Sequence, residues 1–362
     1  MLYYLSELRD ILFIFNVFRY ITFRSAMAAV TTFLLCIIFG PKVTQYLKEK
    51  KVRERAKRED CPDLDLYLHS KQGIPTMGGI FIIGSILISV FLWSQLSNRY
   101  IIMTFITCLY LAILGFVDDY IKLTRQKGFR GLRPKTKLLW QILLGSFIGS
   151  YVYFSPHAAT SLDVPFFKNL VANIGIFYIP LVALIVIGTT NAVNLTDGLD
   201  GLAIGSILIV SATLAILCYL TGNINFSKYL LIPYIEGAGE LTIFCSAIAG
   251  ASMGFLWFNC YPATIFMGDT GSLSLGGTLA VITVFIKKEL LLILLGGIFV
   301  MEALSVILQV SSFKIRKKRI FKVSPLHHHL QLCGWNESKI IVRFWIIGII
   351  LALLTLMTLK VR

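Results

Sequence analysis

The sequence predicts an all-α, polytopic membrane protein, and three observations carry that expectation. Of its 362 residues, 56% are hydrophobic and only 15% are charged, where a soluble globular domain carries about 25% charged residues. The apolar residues gather in runs of roughly 20, the length a helix needs to cross a hydrocarbon layer ~30 Å thick. The basic residues gather in alternate connections between those runs. This composition argues against a cytosolic enzyme and excludes a disordered chain, a collagen or a disulfide-stapled mini-protein.

Ten runs follow in order: 22–40, 76–95, 100–117, 138–155, 174–190, 199–220, 241–257, 271–288, 290–312 and 340–359. Each is expected to be a helix, because an open sheet edge in lipid would leave backbone groups unpaired. The first run should remain as an anchor, since nothing before it has the short apolar core and small-residue cleavage site of a signal peptide. Only Lys287, Lys288 and Glu289 separate the eighth run from the ninth. The whole chain, 1–362, reads as one integral membrane domain. Its seven cysteines include no CxxC pair. Cys36, Cys108, Cys218 and Cys245 lie inside apolar runs, Cys61 and Cys333 in polar stretches, and none suggests a disulfide framework.

Ten spans place the connections 41–75, 118–137, 191–198, 258–270 and 313–339 on one side. Three of these hold 23 Lys and Arg residues, while the opposite side with both termini holds nine. Positive charge is retained in the cytoplasm, so the five connections are expected there and both termini in the periplasm. The net charge of +15 is spread over separate short loops. That argues against nucleic acid as a partner and fits anionic membrane lipid or a polyanionic substrate.

Acids, amides and histidines concentrate on the same side, and a carboxylate near membrane depth is costly enough to suggest function. Asp118 and Asp119 end the third run; adjacent carboxylates repel unless a cation or a shared proton relieves them, and acids at a helix C-terminus oppose its dipole. Lys122 follows three residues after Asp119, and a divalent metal is the other obvious relief. Asn191, Asn194, Asp197 and Asp200 recur every third position. On a regular helix they drift about 60° per step, so they can share one pocket only if the backbone breaks, which Gly198 and Gly201 would allow. Asn259 precedes Phe266-Met267-Gly268-Asp269-Thr270-Gly271-Ser272, in which Asp269 is the only acid of its connection. His327, His328 and His329 are consecutive; without Cys or Glu at ligand spacing they suit phosphate, or the orientation of a carboxylate, better than zinc. Lys71 and the segment Pro75-Thr76-Met77-Gly78-Gly79 lead into the second run, where the glycines serve helix packing or close approach to a ligand. Glu302 and Gln309 are seven apart on one helix face and should turn inward.

Acids, lysines and histidines at one membrane surface suit phosphoryl transfer, which is mostly positioning and charge neutralisation. A transporter would need paths to both sides, and neither a Walker-type loop nor an inverted repeat is present.

The blocks Phe116-Val117-Asp118-Asp119, Asn191 through Gly201, Phe266 through Ser272 and His327-His328-His329 closely resemble the phospho-N-acetylmuramoyl-pentapeptide transferase family of polyprenyl-phosphate N-acetylhexosamine-1-phosphate transferases. The likeness runs from about residue 20 to the C-terminus in the same order. Ile74 departs from the threonine usual there, which touches one local contact. The resemblance implies ten transmembrane helices, a homodimer in the bacterial inner membrane, and a cytoplasmic active site dependent on Mg²⁺. It implies transfer of phospho-MurNAc-pentapeptide from UDP-MurNAc-pentapeptide to undecaprenyl phosphate, giving lipid I and UMP. By motif, Asp269 would hold Mg²⁺, Asp118 would assist the lipid phosphate as base or metal-site partner, Asp119 would shape that cluster, and the catalytic candidate His328 would lie near the nucleotide-sugar. Lys71, Asp200 and Phe266 would form the uridine side of the pocket. Asn194 and Asp197 would lie near the nucleotide-sugar, and Lys122 and Lys135 would face phosphates. Thr76, Asn191, Asn259, Gln309, His327 and His329 complete the candidate substrate contacts.

Overall fold

Lipid offers no partner to a backbone N–H or C=O, so each crossing segment must satisfy its own, and helices do this locally. The computed structural model describes residues 1–10, 12–50, 52, 71, 73–124, 131–155, 160–163 and 171–360, and every one of the ten apolar runs is helical within it. In order these are α1 (Ile21–Glu49), α2 (Gly79–Trp93), α3 (Arg99–Thr124), α4 (Pro134–Tyr153), α5 (Tyr178–Thr196), α6 (Leu202–Thr221), the short α7 (Ile224–Leu230), α8 (Leu241–Asn259) and α9 (Gly268–Phe285). They continue with α10 (Leu291–Leu295), α11 (Gly297–Arg316), the short α12 (Leu326–Leu332) and α13 (Glu337–Met357). Among the described residues seven helices are long and apolar enough to cross a membrane, and α2 is a shorter apolar one. The protein is an all-α, multi-pass membrane protein.

Three features depart from the sequence expectation. The ninth run is not one helix: it breaks at Gly296 into α10 and α11. The connection after α4 carries a two-stranded antiparallel hairpin, β1 (Ser161–Asp163) on β2 (Val171–Asn173), with Leu162 opposite Ala172. Two short 3₁₀ segments, Leu2–Asp10 and Phe13–Arg19, precede α1. Most of the basic connection 41–75, with Cys61, lies outside the described residues.

The centre of the bundle is α9, whose residues from Thr270 to Phe285 are all buried. It packs on α3, α5 and α2, while α8 is clasped between α1 and α6. The small residues of α9 let its neighbours approach closely. Its hydroxyls are satisfied locally, Thr278 donating to the Ser274 carbonyl at 2.7 Å and Thr283 to Leu279 at 2.7 Å. Interior position therefore comes from small side chains rather than from hydropathy. At the periphery, α11 exposes Leu304, Ile307 and Leu308, and α13 exposes Ile346, Ile350 and Leu353, which is the apolar surface expected against lipid. Leu199, Leu202, Ile298, Ile340 and Phe344 form a smaller core that fixes the start of α13 beside the turn between α5 and α6.

Candidate active site

Asp118 and Asp119 do not end α3 as the sequence suggests: the helix runs on to Thr124, more than a turn beyond them. What opposes the two carboxylates is their burial and mutual repulsion rather than the dipole of a last turn. The fold resolves this by aiming Asp119 at the start of another helix. The Asp119 carboxylate accepts the backbone N–H of Asp269 at 3.2 Å and of Thr270 at 2.9 Å, and the Thr270 hydroxyl at 2.8 Å. It thus caps α9 from outside, satisfying N–H groups that the first turn leaves free. Gly268 makes the approach possible: its φ is +74°, and a Cβ there would stand 2.8 Å from Asp119 Oδ2.

That cap brings Asp269 to the two acids of α3. Asp118, Asp119 and Asp269 each offer a carboxylate oxygen, and these atoms lie within 4.8 Å of one another. Two lysines answer the charge. Lys137 Nζ is 2.5 Å from Asp269 Oδ2, and Lys122 Nζ is 3.1 Å from the same oxygen and 2.8 Å from Asp118. Asn194 donates to the other oxygen of Asp269 at 2.9 Å. Burial opposes ionisation of Asp269, but its hydrogen bond with Asp118 and the ammonium groups of Lys137 and Lys122 outweigh that and hold its carboxyl well below the usual carboxylate range. A cavity of about 460 Å³ opens on the cluster, lined by Asp118, Lys122, Lys137, Gln141, Asn191, Asn194 and Asp269 together with Leu132, Pro134 and Leu138.

A second polar group adjoins it. α5 ends at Thr196, Gly201 takes a φ of +84°, and α6 begins at Leu202. The break divides the Asn191–Asp200 series: Asn191 and Asn194 line the cavity, while Asp200 turns to Lys71 at 2.5 Å. The other Asp200 oxygen accepts the Ala263 N–H at 2.9 Å, and Lys71 Nζ lies 6.0 Å from the Phe266 ring centre. Asp197, half-buried, follows the last turn of α5. Asn259 is buried and spans the two segments, accepting the Gly201 N–H at 3.0 Å and donating to the Ile265 carbonyl at 2.8 Å. Thr76, half-buried, belongs to a strap pairing with the segment before α9, where Phe266 N–H donates to Pro75 O and Gly78 N–H to Phe266 O, both at 2.8 Å.

The histidines divide by burial. His327 is fully buried, its Nδ1 3.2 Å from Glu302, and its ring fills the space that a Cβ on Gly198 would need. Gly198 therefore serves close packing here, and Gly201 alone supplies the left-handed turn. His328 is buried with Nδ1 2.8 Å from Gln331. His329 accepts the Lys322 N–H at 3.2 Å and packs on Phe321. The Gln309 amide is engaged by the same loop, accepting the N–H groups of Ile320 and Phe321 and donating to the Phe321 carbonyl, at 2.9–3.0 Å.

Related chains match this amino-acid sequence along nearly its whole length. A model of glycosyl transferase family 4 matches residues 100–287, and a phospho-N-acetylmuramoyl-pentapeptide-transferase signature matches residues 71–83. The chain is 51% identical over 349 residues to the phospho-N-acetylmuramoyl-pentapeptide-transferase of Citrifermentans bemidjiense, covering 96% of both chains. It is 50% identical over 361 residues to that of Thermodesulfovibrio yellowstonii, covering 99% of both. The chain belongs to the phospho-N-acetylmuramoyl-pentapeptide-transferase family. It is a transferase of glycosyl transferase family 4.

Several residues of this transferase's cavity escaped the sequence reading. Lys135 is exposed and does not line the cavity, whereas Lys137 touches Asp269. Two positions on a helix are about 200° apart, so only one of these lysines can face the acids. Gln141 lies four residues beyond Lys137, on the same face of α4, and donation from Asn191 to Gln141 at 2.8 Å ties α5 to it. A polar side chain inside an otherwise apolar run was the signal available. Glu337, 2.6 Å from Lys71, carried a weaker one: an acid at the start of the last helix.

Proposed function

We propose that this transferase moves phospho-MurNAc-pentapeptide from UDP-MurNAc-pentapeptide to undecaprenyl phosphate, releasing lipid I and UMP at the cytoplasmic face of the bacterial inner membrane. The observation that carries the reading is the convergence of Asp118 and Asp269 with Lys122 and Lys137 on one cavity, with Asp119 against them in the same carboxylate cluster. In the transfer, an oxygen of the lipid phosphate bonds to the phosphorus attached to the sugar. The bridging P–O bond to the uridine-bearing phosphate breaks, and UMP departs with that oxygen. One pyrophosphate linkage replaces another, so no external energy source is required.

The obstacle is the approach of two anions, since a phosphate monoester is already largely ionised at neutral pH, with a second pKa of about 6. Lys122 and Lys137 supply positive charge in a partly water-excluded groove, where it counts for more than in water. The oxygen donor set suits a hard cation such as Mg²⁺. Asp269 would hold it, with Asp118 alongside, while Asp119 is committed to the α9 cap. When bound, the ion supplies Lewis-acid neutralisation of phosphate charge. Asp118 stands beside the lipid phosphate to orient it, and Asn191 and Asn194 face the nucleotide-sugar. Lys71, Asp200 and Phe266 form the uridine side, on the neighbouring group. The exposed apolar faces of α11 and α13 are left to lipid and to a second copy in a homodimer.

The test is UMP release by the detergent-solubilised protein given UDP-MurNAc-pentapeptide, Mg²⁺ and undecaprenyl phosphate. Release should require all three additions. Absence of UMP with all three present abandons this reading.

A further inference from the structure

Glu337 is the first residue of α13, yet its side chain reaches across to two other segments. Its Oε1 lies 2.6 Å from Lys71 Nζ and accepts the Asp200 N–H at 2.9 Å. Lys71 Nζ is also 2.5 Å from Asp200 Oδ1. One ammonium is therefore held between two carboxylates, with the three side chains only 10%, 3% and 10% exposed. Burial opposes charge on Lys71, but the two carboxylates outweigh it and keep the ammonium above its ordinary range. An acid in a first helical turn also favours its own helix by the dipole. That role, however, needs neither the lysine nor the Asp200 N–H, and the geometry serves both.

The consequence follows from counting donors and acceptors. Asp200 spends one oxygen on Lys71 and the other on the Ala263 N–H. Without Glu337, Lys71 would be restrained by Asp200 alone and the Asp200 N–H would lose its acceptor. Lysine has a flexible stem that a single partner immobilises poorly. We propose that Glu337 is a positioning residue for the donor nucleotide, locking Lys71 against Asp200 so that both present a preformed polar face beside the Phe266 ring. This rests on the reading above, in which that group receives the uridine. Pre-organisation of this kind strengthens binding by removing ordering costs at the moment of association. It therefore acts on affinity for the nucleotide and leaves the reacting phosphates untouched.

The experiment compares the full chain with Glu337→Ala and Glu337→Gln in detergent. Loss of a charge-assisted contact predicts that Glu337→Ala raises the KM for UDP-MurNAc-pentapeptide about tenfold, while kcat and the KM for undecaprenyl phosphate move less than about twofold. Glu337→Gln keeps an oxygen for both donors and should recover part of the loss. Affinity for UMP alone, measured calorimetrically, should weaken by the same factor in Glu337→Ala. Added to Lys71→Met, Glu337→Ala should cost less than it does alone, leaving only the loss of the Asp200 N–H contact. An unchanged donor KM, or a fall in kcat that tracks only the folded fraction in thermal unfolding, overturns the inference. So do additive losses in the double variant. These outcomes are read against a wild type that releases UMP; a silent wild type instead brings down the functional reading, and this inference with it.

Discussion

The two ends of the bundle both bury charge, and they handle it in opposite ways. At the end where α1 and α8 begin, Arg24 meets Glu240 through two contacts of 2.6 and 2.8 Å. The Gln95 N–H at 3.1 Å and the Trp93 carbonyl at 3.2 Å complete the pair. Nearby in the topology, Tyr178 donates to Glu289 and receives Lys287 at 2.9 Å. Glu240 there is matched one to one by Arg24, and the pair is buried against the core. At the opposite end, three carboxylates share two lysines, and the group faces a cavity of about 460 Å³. A charge balanced one to one holds helices together; a cluster with oxygens in excess and open space before it can take up a cation and phosphate.

That contrast can be broken experimentally. The largest effect is expected at the open end: Asp269→Asn should lower UMP release about 10³-fold, the scale of losing one preorganised electrostatic element. Its thermal unfolding should stay close to wild type, and retention of more than about a tenth of the activity would remove Asp269 from the metal site. At the closed end, Arg24→Met leaves Glu240 buried without its cation. It should cost about 3 kcal/mol of stability, seen as an earlier unfolding transition, with UMP release per folded molecule unchanged. Substantial loss of turnover without destabilisation would show that the two ends are not separable. The finest comparison lies within one helix. Lys137→Met should reduce turnover about tenfold or more, as expected for a hydrogen bond to a charged group, whereas Lys135→Met should change it less than about twofold.

Much of the architecture was legible because the lipid imposes a length and an apolarity that a chain cannot avoid displaying. The run at 290–312 misled only in continuity, since Gly296 divides it without altering its hydropathy. The hairpin at 161–173 was not legible, because three-residue strands leave too little alternation to detect. Within the site, Asp118, Asp119 and Asp269 stood out as acids where acids are expensive. What their pattern could not convey was the division of labour: Asp119 is taken up by the α9 cap, and Gln309 by the backbone of the loop that follows α11. Lys135 and Lys137 were indistinguishable by composition, and the rotation of α4 chooses between them.

By itself the sequence determined the all-helical, lipid-embedded character of this transferase and the connections in which its polar chemistry gathers. Both follow from the free energy of placing individual side chains in water or hydrocarbon, a property of each residue. Only the tertiary structure decided which of those polar groups meet. Lys71, Asp200, Ala263 and Glu337 converge from four separated segments. Such encounters depend on helix rotation, on where glycine breaks a helix, and on which backbone donors remain to be satisfied, and these are properties of the packed whole.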